Sequence, residues 1–383
     1  MSKKARLIVL AFCLFLAILT PGLVQAQGEL TIVGSSAEAV FPSQLNFNLS
    51  AQSSVNITDI RLCYAVDRAS FAEVISEAYI EFTPATAVDV SWTLEMVKIG
   101  GLPSGTTIKY WWRVEDASGK KVETAPAQVR FDDTRYQWRN LTEGKVALYW
   151  YKGDDFFARE LMSAAQQALE RLAEGTGAHP EKPIELYIYA NANDLKGAMV
   201  YPQEWTGGVT FTRYSIMAIG IAPSSISWGK TAIAHELTHL IVGQMTLNPY
   251  NSLPTWLDEG LAMYNEGLLG PEYTTYLIRA IAEGRLISVQ SLSSPFSAYA
   301  EEATLSYAES YSLVEFLIAS YGQGKMLELL DTFREGSGYD AALERVYGFD
   351  MDGLDSLWRE YVTRQYQSAG VERMHPALAT AGF

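Results

Sequence analysis

The sequence predicts a multidomain protein, in which an all-β sandwich module is followed by an α+β domain with a helical C-terminal half. Three observations predict this order. Strand-like alternation fills residues 27–133, strands and helices mix after Arg139, and helical patterns dominate past Glu266. A chain of 383 residues is long enough for two domains. We therefore divide the sequence into 1–26, 27–133, 134–375 and a tail at 376–383.

Residues 1–26 have the three parts of a secretory signal peptide. A basic start precedes an apolar run at 7–19, and Val24-Gln25-Ala26 forms a small-x-small cleavage site. A retained membrane anchor is the alternative, but the break at Pro21-Gly22 and the short apolar run favour cleavage. We expect a secreted or extracytoplasmic (cell-envelope) protein with no stable membrane span after cleavage.

Charge and cysteine content narrow the possible partners and the source of stability. The net charge of −15 repels nucleic acid, so we expect no nucleic-acid partner. After cleavage Cys63 is the one cysteine left, so an internal disulfide is excluded and stability must come from the hydrophobic core.

Residues 27–133 show period-two alternation punctuated by turn residues. The candidate strands are 30–33, 44–49, 55–64, 78–82, 88–95, 107–115 and 122–131. In the clearest strand Ile108, Tyr110, Trp112 and Val114 share one face. About seven short strands indicate an Ig-like or fibronectin-III-like sandwich. Such a module either is a spacer that positions the second domain or binds a surface, a glycan or a partner, for which Trp92, Trp111 and Trp112 are candidates.

The second domain begins with a mixed pattern. A strand is expected at 145–150, then a helix capped by Asp154 or Asp155. Further strands are expected at 184–189 and 214–221, and the next helix carries the chemistry.

The sequence His235-Glu236-Leu237-Thr238-His239 forms a His-Glu-x-x-His motif within a helical pattern. Two imidazoles at i and i+4 lie one turn apart on the same helix face, so both can reach one metal ion. Glu236 flanks that ion without binding it, which suits a general base that acts on water. A chance match is the alternative, and it is rare in a chain with four histidines.

A third protein ligand is needed to complete a catalytic metal site. The stretch from Pro254 to Ala262 offers Glu259, with Asp258 as the alternative. The metzincin pattern fails, because Val242 and Met245 stand where that pattern needs Gly and His.

The His-Glu-x-x-His helix, a short loop and then Trp256-Leu257-Asp258-Glu259-Gly260-Leu261-Ala262 resemble the peptidase MA-like family of gluzincin zinc metallopeptidases, in the thermolysin-like zincin clan. The resemblance implies a zincin-like catalytic domain, with Zn²⁺ as cofactor and His235, His239 and Glu259 as its ligands. It also implies that Glu236 is the catalytic base.

The same resemblance has implications for the cleft. The stretch that opens with Tyr307 is similar to the Tyr-x-Lys-Gly helix of zinc aminopeptidases, which implies that Tyr307 stabilises the oxyanion, with Tyr311 as the alternative. The strand before the zinc helix is expected to form the sheet edge, so that the backbone of 218–222 pairs with substrate. This strand has no acidic residue for a free amine, which favours an endopeptidase over an aminopeptidase.

The expected function is therefore a secreted zinc metallopeptidase whose partner is a peptide or protein substrate. Two alternatives remain open from the sequence. One is a non-catalytic envelope or adhesion protein that retains a zincin fold, and the other is a zinc amidohydrolase with a non-peptide substrate.

Overall fold

The computed structural model describes residues 29–202 and 207–374, and side chains up to Tyr366. The predicted signal peptide (1–26) and the predicted tail (376–383) lie outside the described residues. Within these limits, no helix is both long enough and apolar enough to cross a bilayer.

The N-terminal region is all β. Its strands are β1 (Thr31–Val40), β2 (Gln44–Val66), β3 (Ser76–Tyr79), β4 (Ala85–Glu95), β5 (Thr106–Asp116), β6 (Lys121–Glu123) and β7 (Ala127–Phe131). The first half of β2 pairs with β1 and β4, its second half pairs with β3 and β5, and β5 pairs with β6 and β7. One hydrogen-bonded sheet therefore folds around a single core.

Two strand predictions for this region are wrong. Residues 44–49 and 55–64 belong to one strand, β2, whose pairing with β4 shifts register between Gln52 and Ile57. Residues 122–131 form two strands, β6 and β7, since Pro126 between them has no N–H to donate to a ladder. The predicted face of β5 is confirmed, because Ile108, Tyr110, Trp112 and Val114 are all buried in the β core.

The second region contains a five-stranded sheet. Its strands are β8 (Arg139–Glu143), β9 (Val146–Trp150), β10 (Ile184–Tyr189), β11 (Gly208–Phe211) and β12 (Ile216–Gly220), in the order β11-β12-β10-β9-β8. The three central strands are parallel, while β8 and β11 are antiparallel edge strands.

The edge strand next to the His-Glu-x-x-His helix differs from the predicted one. β12 pairs with β10 on one side and with β11 on the other, so its backbone is occupied. The prediction that residues 218–222 pair with substrate is therefore wrong, and β11 occupies the edge. In the sequence, Gly207-Gly208 indicates a turn between elements. In the structure, Gly208 is the first residue of the short strand β11.

The helices lie on both faces of the sheet and build the C-terminal half. They are α1 (Asp155–Thr176), α2 (Ala192–Lys196), α3 (Ile226–Met245), α4 (Thr255–Glu266), α5 (Pro271–Glu283), α6 (Val289–Leu292), α7 (Ala300–Tyr321), α8 (Gln323–Arg334), α9 (Tyr339–Tyr347) and α10 (Met351–Met374). Helix α2 lies on the face opposite α1 and α3. Asp154 caps α1 by accepting a hydrogen bond from the Phe157 backbone N–H. One continuous core joins the sheet to α1, α3, α4 and α7. The predicted fold class is confirmed.

The β region has its own hydrophobic core, separate from the two clusters formed by residues after 133, and the boundary at 133/134 itself stays a prediction. Polar contacts connect the two regions. Tyr189 donates to the buried Asp133 carboxylate at 3.0 Å, and Arg130 contacts Glu185 at 2.6 Å. These side-chain contacts therefore connect the β region to the sheet against which α3 packs.

Close packing holds α4 against its neighbours. Gly260 lies so near α7 that an added Cβ would collide with the Ser310 carbonyl oxygen and the Val314 side chain. On the same helix the Asn265 amide donates to Thr238 Oγ1 of α3 at 2.8 Å. These contacts fix the helix that carries Glu259 relative to the helix that carries both histidines.

We predict that Gly260→Ala lowers the free energy of unfolding by about 1–3 kcal/mol, because the added methyl group overpacks the α4–α7 contact. The measurement is denaturant unfolding followed by circular dichroism. The control is Gly324→Ala, at a helical glycine of α8 with open space around it, which should be neutral or slightly stabilising. Equal destabilisation of both variants would contradict this account of the packing.

Candidate metal centre

The motif helix α3 brings the two imidazoles together. His235 and His239 lie one turn apart, and their Nε2 atoms are 3.1 Å from each other. Both side chains are largely buried but open towards one cleft. Their Nε2 atoms therefore converge on one point, as the i, i+4 spacing predicts.

Helix α4 contributes the third donor. Glu259 Oε2 lies 3.4 Å from His235 Nε2 and 3.5 Å from His239 Nε2. Donor atoms at roughly 2.0–2.1 Å from a tetrahedral Zn²⁺ are about 3.3–3.4 Å from one another. The three atoms thus have the separations of three corners of such a tetrahedron, and the cleft lies beside them.

The Glu259 carboxylate faces the two imidazoles, as a metal ligand should. Its Oε2 atom is buried and has no hydrogen-bond partner among the described residues. Burial raises the pKa of Glu259, but the two imidazoles outweigh burial and lower it to about 2. Across the described ranges, 29–202 and 207–374, these three residues are the one group of His, Cys, Asp and Glu that can hold a metal ion. The donor set fits Zn²⁺.

Two further carboxylates contact the outer nitrogens of the imidazoles. Glu266 Oε1 lies 2.7 Å from His235 Nδ1, and Asp258 Oδ1 lies 3.1 Å from His239 Nδ1. Asp258, the alternative ligand in the sequence, therefore lies on the far side of His239. The hydrogen bond with Glu266 favours a proton on His235 Nδ1, which leaves the Nε2 lone pair directed at the centre. Asp258 places its negative charge beside His239 Nδ1 without forming a hydrogen bond to it.

Glu266 was missed by sequence reasoning, although a signal was present. It lies seven residues after Glu259, two turns along α4 and on nearly the same face. Burial alone would lower the pKa of His235, but Glu259 and Glu266 outweigh burial and raise it to about 9. Carboxylates therefore surround the imidazole of His235, and their negative charge favours a bound cation.

Glu236 lies beside the three donors and is held by the edge strand. Thr210 Oγ1 of β11 donates to Glu236 Oε2 at 2.7 Å. Gly208 leaves room for the same carboxylate, because a Cβ there would lie 2.8 Å from Glu236 Oε1. Thr210 was also missed, since nothing in the sequence pattern links residue 210 to residue 236.

Of the two candidate tyrosines, Tyr307 lines the cleft and Tyr311 does not. Tyr307 lines the same cleft as the donors and stacks edge-on against Phe296, with ring centroids 5.1 Å apart. Burial and then Glu259 raise its pKa above the ordinary value, so the phenol keeps its proton and remains a donor. Tyr311 is buried against Tyr264 and is not part of the cleft wall.

The centre opens into a cavity of about 610 Å³. One wall is the edge strand with Gly208, Val209 and Thr210, and another is formed by the segment 246–253 after α3. Such a cleft, with a metal-binding group at its floor and a strand edge at its side, has the shape for an extended chain.

Comparison with known proteins places this arrangement in a family. The Peptidase MA superfamily matches residues 164–364, which is just over half of the chain. None of the curated proteins compared with the chain matches it. The matched segment contains the motif helix, Glu259 and Tyr307.

Solved structures show weaker likenesses. An M1 zinc metallopeptidase from Deinococcus radiodurans has 12% identity and a TM-score of 0.33, over 88% of this chain and 95% of that one. Aminopeptidase A from Legionella pneumophila, in complex with aspartic acid, has 10% identity and a TM-score of 0.36, over 82% of this chain and 47% of that one. A β-1,3-glucan binding domain of carbohydrate-binding module family 56 has 19% identity and a TM-score of 0.17, over 27% and 99%.

The family match, rather than these likenesses, carries the conclusion. It confirms the predicted zinc metallopeptidase family and, with it, Zn²⁺ as the cofactor that the donor set fits. The chain belongs to the peptidase MA superfamily.

Proposed function

We propose that this zinc metallopeptidase is a secreted endopeptidase in which Glu236 is the general base. One observation carries the proposal. The Glu236 carboxylate, held by Thr210, lies in the same cleft as the three converging donors of His235, His239 and Glu259. A non-catalytic relative would need neither this base nor the threonine that orients it.

The residues of the centre divide the chemistry of peptide hydrolysis between them. Zn²⁺ held by the three donors supplies Lewis-acid activation of water and of the scissile carbonyl group. Glu236 takes the proton from the attacking water and delivers it to the leaving amine. Tyr307 donates its phenolic proton in a hydrogen bond to the oxygen on which negative charge develops.

The edge strand supports an extended peptide as the substrate. β11 pairs with β12 on one side, and its other side lines the cleft. A peptide added there forms main-chain hydrogen bonds, as strands do at an open sheet edge. Thr210 belongs to this edge strand and also contacts Glu236. A peptide paired with β11 would therefore have its scissile bond next to the base.

The acidic residues of the cleft support internal cleavage. β11 (Gly208–Phe211) contains no Asp or Glu that would hold a free amino terminus. The carboxylates that line the described cleft are Glu236, Asp258 and Glu259, and each has a place in the metal centre. The three-part pattern of residues 1–26 supports the proposal that the enzyme acts outside the cytoplasm.

We predict that Glu236→Gln keeps one zinc per chain and lowers kcat by about 10²–10⁴-fold. Glu236 is not one of the three donors, so zinc binding should survive. Metal analysis and hydrolysis of a quenched peptide library, with and without a chelator, measure the two effects. Glu301→Gln, at an exposed glutamate at the start of α7, is the matched control and should keep full activity. A fully active Glu236→Gln variant would refute the base.

Glu266→Gln should weaken zinc binding by about 10–100-fold, because the imidazole of His235 loses the carboxylate that fixes its tautomer. Competition with a chromophoric chelator gives the Kd for zinc. Glu272→Gln, an exposed position in the first turn of α5, should leave this Kd unchanged. The same Kd in wild type and Glu266→Gln would show that Glu266 has no role in the centre.

We expect Tyr307→Phe to lower kcat by about 10²–10³-fold with little change in KM, because the phenol acts on charge that develops during the reaction. Tyr311→Phe removes a phenol outside the described cleft wall and should keep the wild-type kcat. The assignment is contradicted when Tyr311→Phe loses activity and Tyr307→Phe does not.

A further inference from the structure

We propose that Arg213 is a specificity-determining residue that selects substrates carrying a carboxylate two or three residues from the scissile bond. The proposal rests on the proposed peptidase function and adds a substrate class to it. A guanidinium group binds a carboxylate through paired, charge-assisted hydrogen bonds, so one well-placed arginine is sufficient for such a preference.

The charge of Arg213 is unusual for its place. Among the described residues that line the metal cleft, Arg213 is the one lysine or arginine. It is exposed, and no carboxylate of the described residues lies within ion-pair distance of it. Arg213 also lines a second groove, which contains Asp67 and Glu185, and neither carboxylate forms an ion pair with it. Among the described residues, this cation is therefore unpaired and available to a ligand.

The cleft is electrically polarised along its length. Glu236, Asp258 and Glu259 lie at the metal end, while Arg213 lies beyond the end of β11. Thr210 contacts the base Glu236, and Arg213 comes three residues after Thr210 in the chain. Three extended residues span at most about 10 Å. A substrate paired with β11 thus brings a residue two or three positions from its scissile bond to Arg213.

The backbone turn that carries Arg213 is built onto the zinc helix. Thr212–Tyr214 form one turn of 3₁₀-helix, which ends at Ser215 with φ of 57°. Ser215 is the one non-glycine residue of the described chain with positive φ. Gln244 of α3 holds this residue by donating from Nε2 to Ser215 Oγ at 2.9 Å. Strain of this kind persists where the surroundings hold it, and it is common at ligand-binding sites.

Two more contacts fix the same turn. Gly243 of α3 lies against Thr212, where a Cβ would be 2.5 Å from Thr212 Cγ2. The Ala69 backbone N–H, from the β region, donates to the Arg213 carbonyl oxygen at 2.6 Å. The backbone of Arg213 is therefore held at a set place relative to the metal centre. Such preorganisation lowers the entropy cost of binding a ligand group.

The test compares matched quenched peptides with the zinc-loaded enzyme. The peptides differ by Glu or Gln at single positions up to three residues on either side of the cleaved bond, and each has a free or an amidated C-terminus. Wild type should cleave one acidic peptide with kcat/KM about 10–100-fold above its Gln partner. Faster cleavage of the peptides with a free C-terminus than of their amidated forms, whether they carry Glu or Gln, would also support the proposal and would identify the terminal carboxylate as the selected group.

In Arg213→Gln the ratio of acidic to neutral kcat/KM should fall to about one. Arg68→Gln is the matched control, because Arg68 is exposed beside the same turn but does not line the metal cleft. Its ratio should remain that of wild type. The proposal is overturned when wild type shows no carboxylate preference, when Arg213→Gln keeps it, or when Arg68→Gln loses it equally.

Failure of the peptidase function gives a different result. A zinc-loaded wild type that cleaves no peptide refutes the proposed function. Carboxylate recognition is then measured by fluorescence anisotropy, with labelled Glu and Gln peptides and zinc-loaded Glu236→Gln protein. The role of Arg213 is supported when this protein binds the Glu peptide more tightly than the Gln peptide and loses the difference in the double variant Glu236→Gln, Arg213→Gln. Equal binding of both peptides overturns it.

Discussion

The metal centre depends on how α4 packs against α3. Both imidazoles belong to one helix and would converge in any helix with this spacing, but Glu259 comes from another helix. Its Oε2 atom comes within 3.5 Å of both Nε2 atoms because Asn265 bonds α4 to Thr238, and because Gly260 lets α7 approach from the other side. The site therefore requires tertiary packing as well as a motif.

The same packing concentrates like charges. Glu259, Glu266 and Asp258 all lie within ion-pair distance of the two histidines, and Glu236 lines the same cleft. Such a cluster of carboxylates is mutually repulsive until cations balance it. A divalent ion held by His235, His239 and Glu259 would offset this repulsion, and the packed helices keep the donors in place. The fold thus holds a geometry that favours a bound metal.

What could be predicted from the sequence was what local spacing determines. His235, Glu236 and His239 follow from the i, i+4 relation, and α1 follows from a cap at Asp154 or Asp155. The choice of Glu259 over Asp258 came from the family resemblance. Tyr307 was correctly placed at the cleft by resemblance, and the structure separates it from Tyr311.

What could not be predicted depends on partners distant in the chain. β11 is short and starts with glycine, so it has no alternation, and only its pairing with β12 reveals it as a strand. For the same reason the sequence predicts β12, and not β11, as the edge strand. β2 continues through a register shift that resembles a break in the sequence. Thr210 of β11 contacts Glu236 of α3, and Glu266 of α4 contacts His235 of α3. No short sequence motif encodes such contacts between separate elements.

The β region contacts residues that form or support the cleft. Its Ala69 backbone holds the turn of Arg213, and its Arg130 contacts the sheet under the site through Glu185. This agrees with a module that positions the enzyme, and it extends that role to one wall of the substrate cleft.

The most direct test of the central claim is X-ray absorption at the zinc edge, on protein loaded with one equivalent of zinc. The account predicts a four-coordinate shell with two imidazole nitrogens at roughly 2.0–2.1 Å and light oxygen ligands at roughly 2.0–2.2 Å, with the imidazole contribution lost on replacing His235 and His239. A shell of water oxygens without imidazole, or the same spectrum after both replacements, would contradict it.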